Sequence, residues 1–252
     1  MPESVVKRID HAVLQPTQTD DDVRAACALC AELGVASVCV KPSHVPLAAD
    51  CLRQNSPPRI GERLGEGHVL VSTVIGFPHG GTTTETKVAE TQLACRHGAR
   101  EVDMVVNLGK VLSGDWGFVE RDIRDVVQAA RQGGAITKVI FETGLLPNDE
   151  IKIRLCEISE AAGAAFVKTS TGFGYVKRSD GMMVATGATE HDVRLMREHC
   201  SPAVGVKASG GIRSYEDARR FVDLGATRLG TSGTKEIAAG EPGKQIPNKA
   251  DY

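Results

Sequence analysis

Neither sign of charge dominates this chain of 252 residues: 30 Lys and Arg stand against 32 Asp and Glu, a formal net charge of −2. A basic footprint for nucleic acid and an acidic tail are both missing, so no polymer partner is expected. Long apolar runs are missing too. No stretch approaches the roughly 20 residues that cross a bilayer, and the opening MPESVVKRID lacks the apolar segment of a secretory signal. The expectation is a cytoplasmic protein with no membrane attachment. Metal patterns are likewise absent. The seven histidines are scattered, with no H-E-x-x-H, zinc spacing or calcium loop, so no metal is expected. Seven cysteines, an odd number, do not read as a disulfide framework. Cys27 and Cys30 form a C-x-x-C, but they share one helical face with Val23 and Leu33, and no second pair completes a site. They read as packed thiols. With no Pro/Ser-rich linker to divide it, the chain reads as a single domain over 1–252, with a mobile Gly/Pro-rich tail from about residue 240 to 252.

What is present is a repeated phrase: a helix-ending glycine, a small residue, then a strand. It occurs as GVASVCVK at Gly34, GAREVDMVV at Gly98, GAITKVIFE at Gly134, GAAFVKTS at Gly163 and GATRLGTS at Gly225. Two further strands, GHVLVSTVIGF from Gly67 and PAVGVKASGG from Pro202, fill the long gaps, so a unit of about 31 residues recurs. A short eighth strand is expected at KRIDHAV. Between the strands lie amphipathic helices. DWGFVERDIRDVVQAARQ aligns Val119, Ile123, Val126, Val127 and Ala130, and SYEDARRFVDLG opens on a Ser214/Asp217 capping pattern. Eight strand–helix units in about 250 residues predict an α/β fold, a TIM (β/α)8 barrel, with an open doubly wound sheet as the alternative.

Alternation within each strand assigns its faces. In EVDMVV the apolar set Val102, Met104 and Val106 should face the helices, which sends Asp103 inward. The same logic turns Ser37, Cys39 and Lys41 inward from SVCVK, and Lys138 and Glu142 from TKVIFE. It turns Phe166, Lys168 and Ser170 inward from FVKTS, and Gly205, Lys207 and Ser209 from VGVKAS. An unpaired ammonium in a low-dielectric interior costs several kcal/mol, so these lysines need partners or a purpose. Ion pairs of Lys138 with Glu142, or of Lys207 with Asp103, would suffice for some. Lys168 and Lys207 differ, because they end successive strands near the face where barrel active sites form. Two ammonium groups that close oppose each other's charge, and burial acts in the same direction. If Asp103 pairs with Lys207, Lys168 becomes the neutral amine, the species that attacks a carbonyl to form a Schiff base.

The phrases IDHAVLQP, VCVKPSHV, TVIGFPHG, ETKVAE, GAREVDMVVNLG, KVIFETGLL, FVKTSTGF, GVKASGGIR and RLGTS, taken in order, resemble the deoxyribose-phosphate aldolase family from end to end. The resemblance implies a cofactor-free class I aldolase that reversibly splits 2-deoxyribose 5-phosphate into acetaldehyde and glyceraldehyde 3-phosphate. It implies that Lys168 is the Schiff-base lysine, that Lys207 lowers its basicity and relays protons, and that Asp103 assists proton transfer. Asp10 and the terminal Tyr252 would belong to the proton relay, and Thr169, Ser170 and Cys39 would lie at the substrate. The loops after the last two strands, with Gly210, Gly211, Gly230, Thr231 and Ser232, would hold the phosphate. Partners would be small phosphosugars and aldehydes, and the assembly a homodimer or tetramer. The chain departs from the family pattern at Ala12, Gln15 and Lys41, and in the longer segment YVKRSDGMMVATGATEHD, expected as an exposed flap near the pocket. Two other readings share these residues: a Schiff-base aldolase for another sugar, and a phosphosugar-binding barrel without catalysis.

Overall fold

The structure is a computed structural model in which residues 4–55 and 68–243 are described. Strands β1 (Ile9–Val13), β2 (Ser37–Val40), β3 (Leu70–Ile75), β4 (Glu101–Val105), β5 (Ile136–Ile140) and β6 (Phe166–Lys168) run in sequence around a closed barrel. β9 (Gly205–Ser209) and β10 (Arg228–Thr231) complete it by pairing back to β1, every pair parallel. The strand expected at KRIDHAV is β1. The helices α1 (Asp20–Leu33), α2 (Val45–Asn55), α3 (Thr84–Arg96), α5 (Trp116–Gln132), α6 (Asp149–Ala161), α7 (Glu190–Glu198), α8 (Tyr215–Asp223) and α9 (Thr234–Gly240) connect them, with a short α4 (Leu108–Leu112) ahead of α5.

Local sequence explains where these elements start and stop. Thr19 and Asp22 close a capping box on α1, and Gly34 ends that helix in the left-handed region at φ 66°, a conformation that glycine adopts without steric penalty. Thr83, Asp115, Asn148, Thr189 and Ser214 cap α3, α5, α6, α7 and α8 through side-chain oxygens. α5 buries the stripe of Val119, Ile123, Val126, Val127 and Ala130 that its spacing predicts. That stripe meets the outward strand residues Val102, Met104, Val139 and Phe141 in one apolar layer. Each such side chain contributes about 1.5–3 kcal/mol on burial, so the layer between helices and barrel carries most of the stabilisation. That leaves the barrel interior free to hold polar groups.

The long segment after β6 forms an antiparallel hairpin, β7 (Tyr175–Lys177) and β8 (Met183–Ala185), which leaves Tyr175, Met182 and Met183 exposed, as expected of a flap. The chain returns from it through Gly187, where an added Cβ would sit 2.7 Å from the carbonyl oxygen of Gly210. The hairpin base is therefore packed against the loop after β9. All seven cysteines are buried and unpaired, and burial pushes the Cys27 thiol up to about 12, as befits a packed residue. Among the described residues, no helix is long and apolar enough to cross a membrane.

Candidate active site

The pleat of β4 turns Asp103 into the barrel, where its two oxygens serve three lysines. Oδ1 accepts from Lys138 Nζ at 2.7 Å, and Oδ2 accepts from both Lys168 Nζ at 2.8 Å and Lys207 Nζ at 2.7 Å. Lys168 and Lys207 are register partners on β6 and β9, so their closeness is imposed by the backbone ladder. They differ in what else they touch. Lys207 also donates to Asp10 Oδ2 at 2.5 Å, whereas among the described residues Asp103 is the one carboxylate paired with Lys168. All five side chains are essentially sealed from solvent.

This asymmetry pushes the two amines in opposite directions. Burial acts against both ammonium groups, but Asp10 and Asp103 together overcome it at Lys207 and hold its basicity above the ordinary lysine value. At Lys168, burial prevails over the single Asp103, and the Lys207 charge adds to it, so its basicity falls below the ordinary value. A carboxylate at about 4 Å is worth on the order of 4 kcal/mol at an effective dielectric near 20, enough for one additional contact to decide which amine keeps its proton. Burial alone would raise the carboxyls of Asp10 and Asp103, but the surrounding cations outweigh it and hold both well below the usual carboxylate range.

A second tier lies beneath. Lys138 contacts Glu101 at 2.6 Å and Asp10 at 3.3 Å in addition to Asp103. Arg228 Nη1 bridges Asp10 Oδ1 at 2.6 Å and Glu101 Oε2 at 2.8 Å. The expected pairing of Lys138 with Glu142 is therefore corrected. β5 ends at Ile140, and Glu142 takes up a left-handed turn at φ 54°, which breaks the alternation and carries its side chain out of the interior. Its carboxylate instead accepts from the Thr171 backbone at 3.1 Å, from the Thr171 hydroxyl and from the Thr186 hydroxyl at 3.2 Å, tying the loop after β6 to the hairpin. Lys41 is corrected likewise. It lies one residue past β2, and its Nζ donates to the carbonyls of Gln15, Pro16 and Gln18, at 3.1, 3.3 and 2.9 Å, so it holds the β1–α1 loop and adds no third amine to the site.

A cavity of about 260 Å³ opens above this cluster, at the C-terminal ends of the strands. Asp10, Cys39, Lys168 and Lys207 form its base, and Gly210, Gly211, Gly230, Thr231 and Ser232 line one side. Burial raises the Cys39 thiol, with the charge of Asp103 adding to it. The Thr231 hydroxyl is already engaged, donating to Ile212 O at 2.7 Å and accepting from Gly233 N at 2.9 Å, which joins the two loops. Asp103 lies beneath the lysines it joins. Thr169 and Ser170, expected at the substrate, do not line the cavity: both are buried, and the Thr169 hydroxyl is laced to the Ser209 backbone at 3.1 and 3.0 Å. Tyr252 and most of the tail lie outside the described residues. Three residues escaped the sequence reading. Glu101 and Arg228 could have been found by extending the inward set two residues back from Asp103 and Gly230. Arg213, exposed on the cavity rim, follows the glycine pair in SGGIRS. Outside the barrel, Asp149, His191 and Asp192 converge, but Lys152 already sits between the two carboxylates at 3.1 and 2.7 Å.

Residues 4–235 match the model of the DeoC/LacD family of aldolases. A Bacillus cytotoxicus protein named deoxyribose-phosphate aldolase is 48% identical over 234 residues, covering 93% of this chain and 94% of the relative. A Thermococcus gammatolerans protein of the same name is 44% identical over 236 residues, covering 94% and 96%. Among solved structures, the tetrameric deoxyribose phosphate aldolase from Aeropyrum pernix superposes with a TM-score of 0.78 at 31% identity, covering 92% of this chain and 88% of that one. An aldolase designated QR15 gives 0.79 at 37% identity, covering 93% and 94%.

Proposed function

The chain belongs to the DeoC/LacD aldolase family, and from that premise we propose that it reversibly cleaves 2-deoxy-D-ribose 5-phosphate to acetaldehyde and D-glyceraldehyde 3-phosphate through a Schiff base on Lys168. The observation that carries this reading is the unequal pairing of the two facing lysines: both meet Asp103, but Lys207 also meets Asp10. Lys207, held by two carboxylates, keeps its proton, and Lys168, held by one, gives its proton up.

The neutral amine of Lys168 adds to C1 of the open-chain sugar, its nitrogen gives up one proton and the carbonyl oxygen takes one up through Asp103 and Lys207, leaving a neutral carbinolamine. Asp103 and Lys207 return a proton to the carbinolamine hydroxyl, which leaves as water and yields the iminium. Asp103, through an intervening water, then accepts the proton of the C3 hydroxyl. The C3 oxygen becomes an aldehyde, the C2–C3 electron pair flows toward the iminium, and glyceraldehyde 3-phosphate departs. Protonation of the enamine at C2 and hydrolysis of the iminium release acetaldehyde and restore Lys168. Asp10 supports the relay by fixing the charge of Lys207. The phosphate is held by backbone N–H groups of Gly210, Gly211, Gly230 and Ser232, with the Arg213 guanidinium supplying charge. A single barrel domain that assembles as a dimer or tetramer completes the proposal, supported by the tetrameric Aeropyrum pernix relative. Seven unpaired thiols suit a reducing compartment such as the cytoplasm.

The test is borohydride reduction in the presence of acetaldehyde, followed by peptide mapping. A two-carbon adduct on Lys168 is expected, and labelling confined to Lys41 or Lys138 overturns the assignment. An adduct on Lys168 without cleavage of deoxyribose 5-phosphate would transfer the chemistry to another sugar.

A further inference from the structure

The reading of Lys168 as the reactive amine leaves the lower tier of the barrel without a role, and its composition supplies one. Three buried carboxylates, Asp10, Glu101 and Asp103, meet four basic groups, the buried Lys138, Lys168 and Lys207 and the largely buried Arg228. If all were ionised the interior would carry one surplus positive charge, which a low-dielectric enclosure disfavours. Three of the bases are multiply paired. Lys138 touches all three carboxylates, Lys207 touches Asp10 and Asp103, and Arg228 touches Asp10 and Glu101. Lys168 touches one. The surplus therefore falls on Lys168.

We propose that Arg228 and Glu101 are a positioning pair that fixes the net charge of the barrel interior and thereby the protonation state of Lys168, although neither contacts it. This deepens the proposed function and rests on it. The groups facing Lys168 are Asp103 on β4, Lys207 on β9 and the Cys39 thiol on β2, with Lys138 on β5 and Asp10 on β1 behind them. Arg228 reaches this set through Asp10, and Glu101 reaches it through Lys138. Arg228 is itself held in place by the ring of Phe166, 5.0 Å from its guanidinium carbon, and that ring occupies the space a side chain at Gly205 would need. Because a guanidinium does not titrate in this setting, Arg228 is a permanent counter-charge and not a proton donor.

The charge count gives opposite signs for the two partners. Arg228→Met removes a cation, so Lys168 retains its proton and the acidic limb of kcat/KM moves to higher pH by about one unit or more. Near neutrality this is roughly a tenfold loss that returns as pH is raised. Glu101→Gln removes an anion and moves the limb to lower pH. The double variant R228M/E101Q brings it back toward the wild-type position, and Arg228→Lys, which keeps the charge, leaves it there. The measurement is the pH profile of deoxyribose 5-phosphate cleavage for the folded full-length proteins, alongside borohydride trapping on Lys168. Single variants that lose rate with the limb unmoved, or that move it in the same direction, overturn the inference. Should R228M fail to fold, the direction of the E101Q limb decides alone. Failure of wild-type Lys168 to trap acetaldehyde would instead sink the functional reading, so the two failures are distinguishable.

Discussion

Two buried lysines in this molecule look alike until their surroundings are compared. Lys87, on α3, is fully enclosed in the layer between helices and barrel, where it pairs with Asp122 of α5 at 2.5 Å and donates to Val105 O at 2.9 Å. Lys168 is equally enclosed and pairs with Asp103 at 2.8 Å. Burial depresses the basicity of both, and the nearby carboxylates, Asp122 with Glu90 at Lys87 and Asp103 at Lys168, only partly restore it. The difference is a neighbouring cation and an opening: Lys168 has Lys207 as its register partner and borders the 260 Å³ cavity. Lys87 has neither. A weakened lysine is thus a common product of burial, and it becomes reactive where a second charge and a route for substrate coincide.

The comparison is sharpened most by Lys168→Met, which removes the nucleophile and, because Lys168 is read as neutral, leaves the charge of the interior unchanged. Turnover should fall by roughly 10⁴–10⁶-fold with the fold intact, by thermal melting and circular dichroism, and acetaldehyde trapping should vanish. Cleavage above a few per cent of wild type would break the assignment. Lys87→Met should act on the other axis. It strands the Asp122 carboxylate, at a cost of about 3–5 kcal/mol in urea unfolding, while the folded fraction still traps acetaldehyde on Lys168; K87M/D122L should recover much of the stability. Loss of trapping in folded K87M would show that the two layers are not separable. The smallest effect belongs to the cavity rim. Arg213→Gln should raise KM for deoxyribose 5-phosphate about tenfold with kcat little changed, and should leave KM for unphosphorylated deoxyribose unaltered.

The barrel and its principal inward residues were legible because a period of two is a local property of the chain. Asp103, Lys138, Lys168 and Lys207 could each be turned inward from their own strand, without knowledge of any neighbour. Pairing was not legible, because it depends on register between strands distant in sequence. Asp103 lies opposite Lys138 in the β4–β5 ladder, so Lys138 meets Asp103, and Glu142, two residues past the strand end, does not. Lys41 failed for a related reason: alternation was extended one residue beyond β2, where the side chain answers to loop carbonyls. Thr169 stands just past β6, where its hydroxyl takes up the neighbouring Ser209 backbone. Glu101 and Arg228, by contrast, obeyed the same period as Asp103.

The register between β6 and β9 has a mechanical consequence. Because Lys168 and Lys207 are attached to facing rungs of one parallel ladder, the distance between their stems is set by the interstrand spacing of about 4.8 Å, as rigid a dimension as a folded chain possesses. A slip by one residue would swing either amine outward among the helices and abolish the pairing altogether. The spacing of the two amines is thereby protected from gradual drift by point substitution, and variation is left to the loops and the hairpin above them.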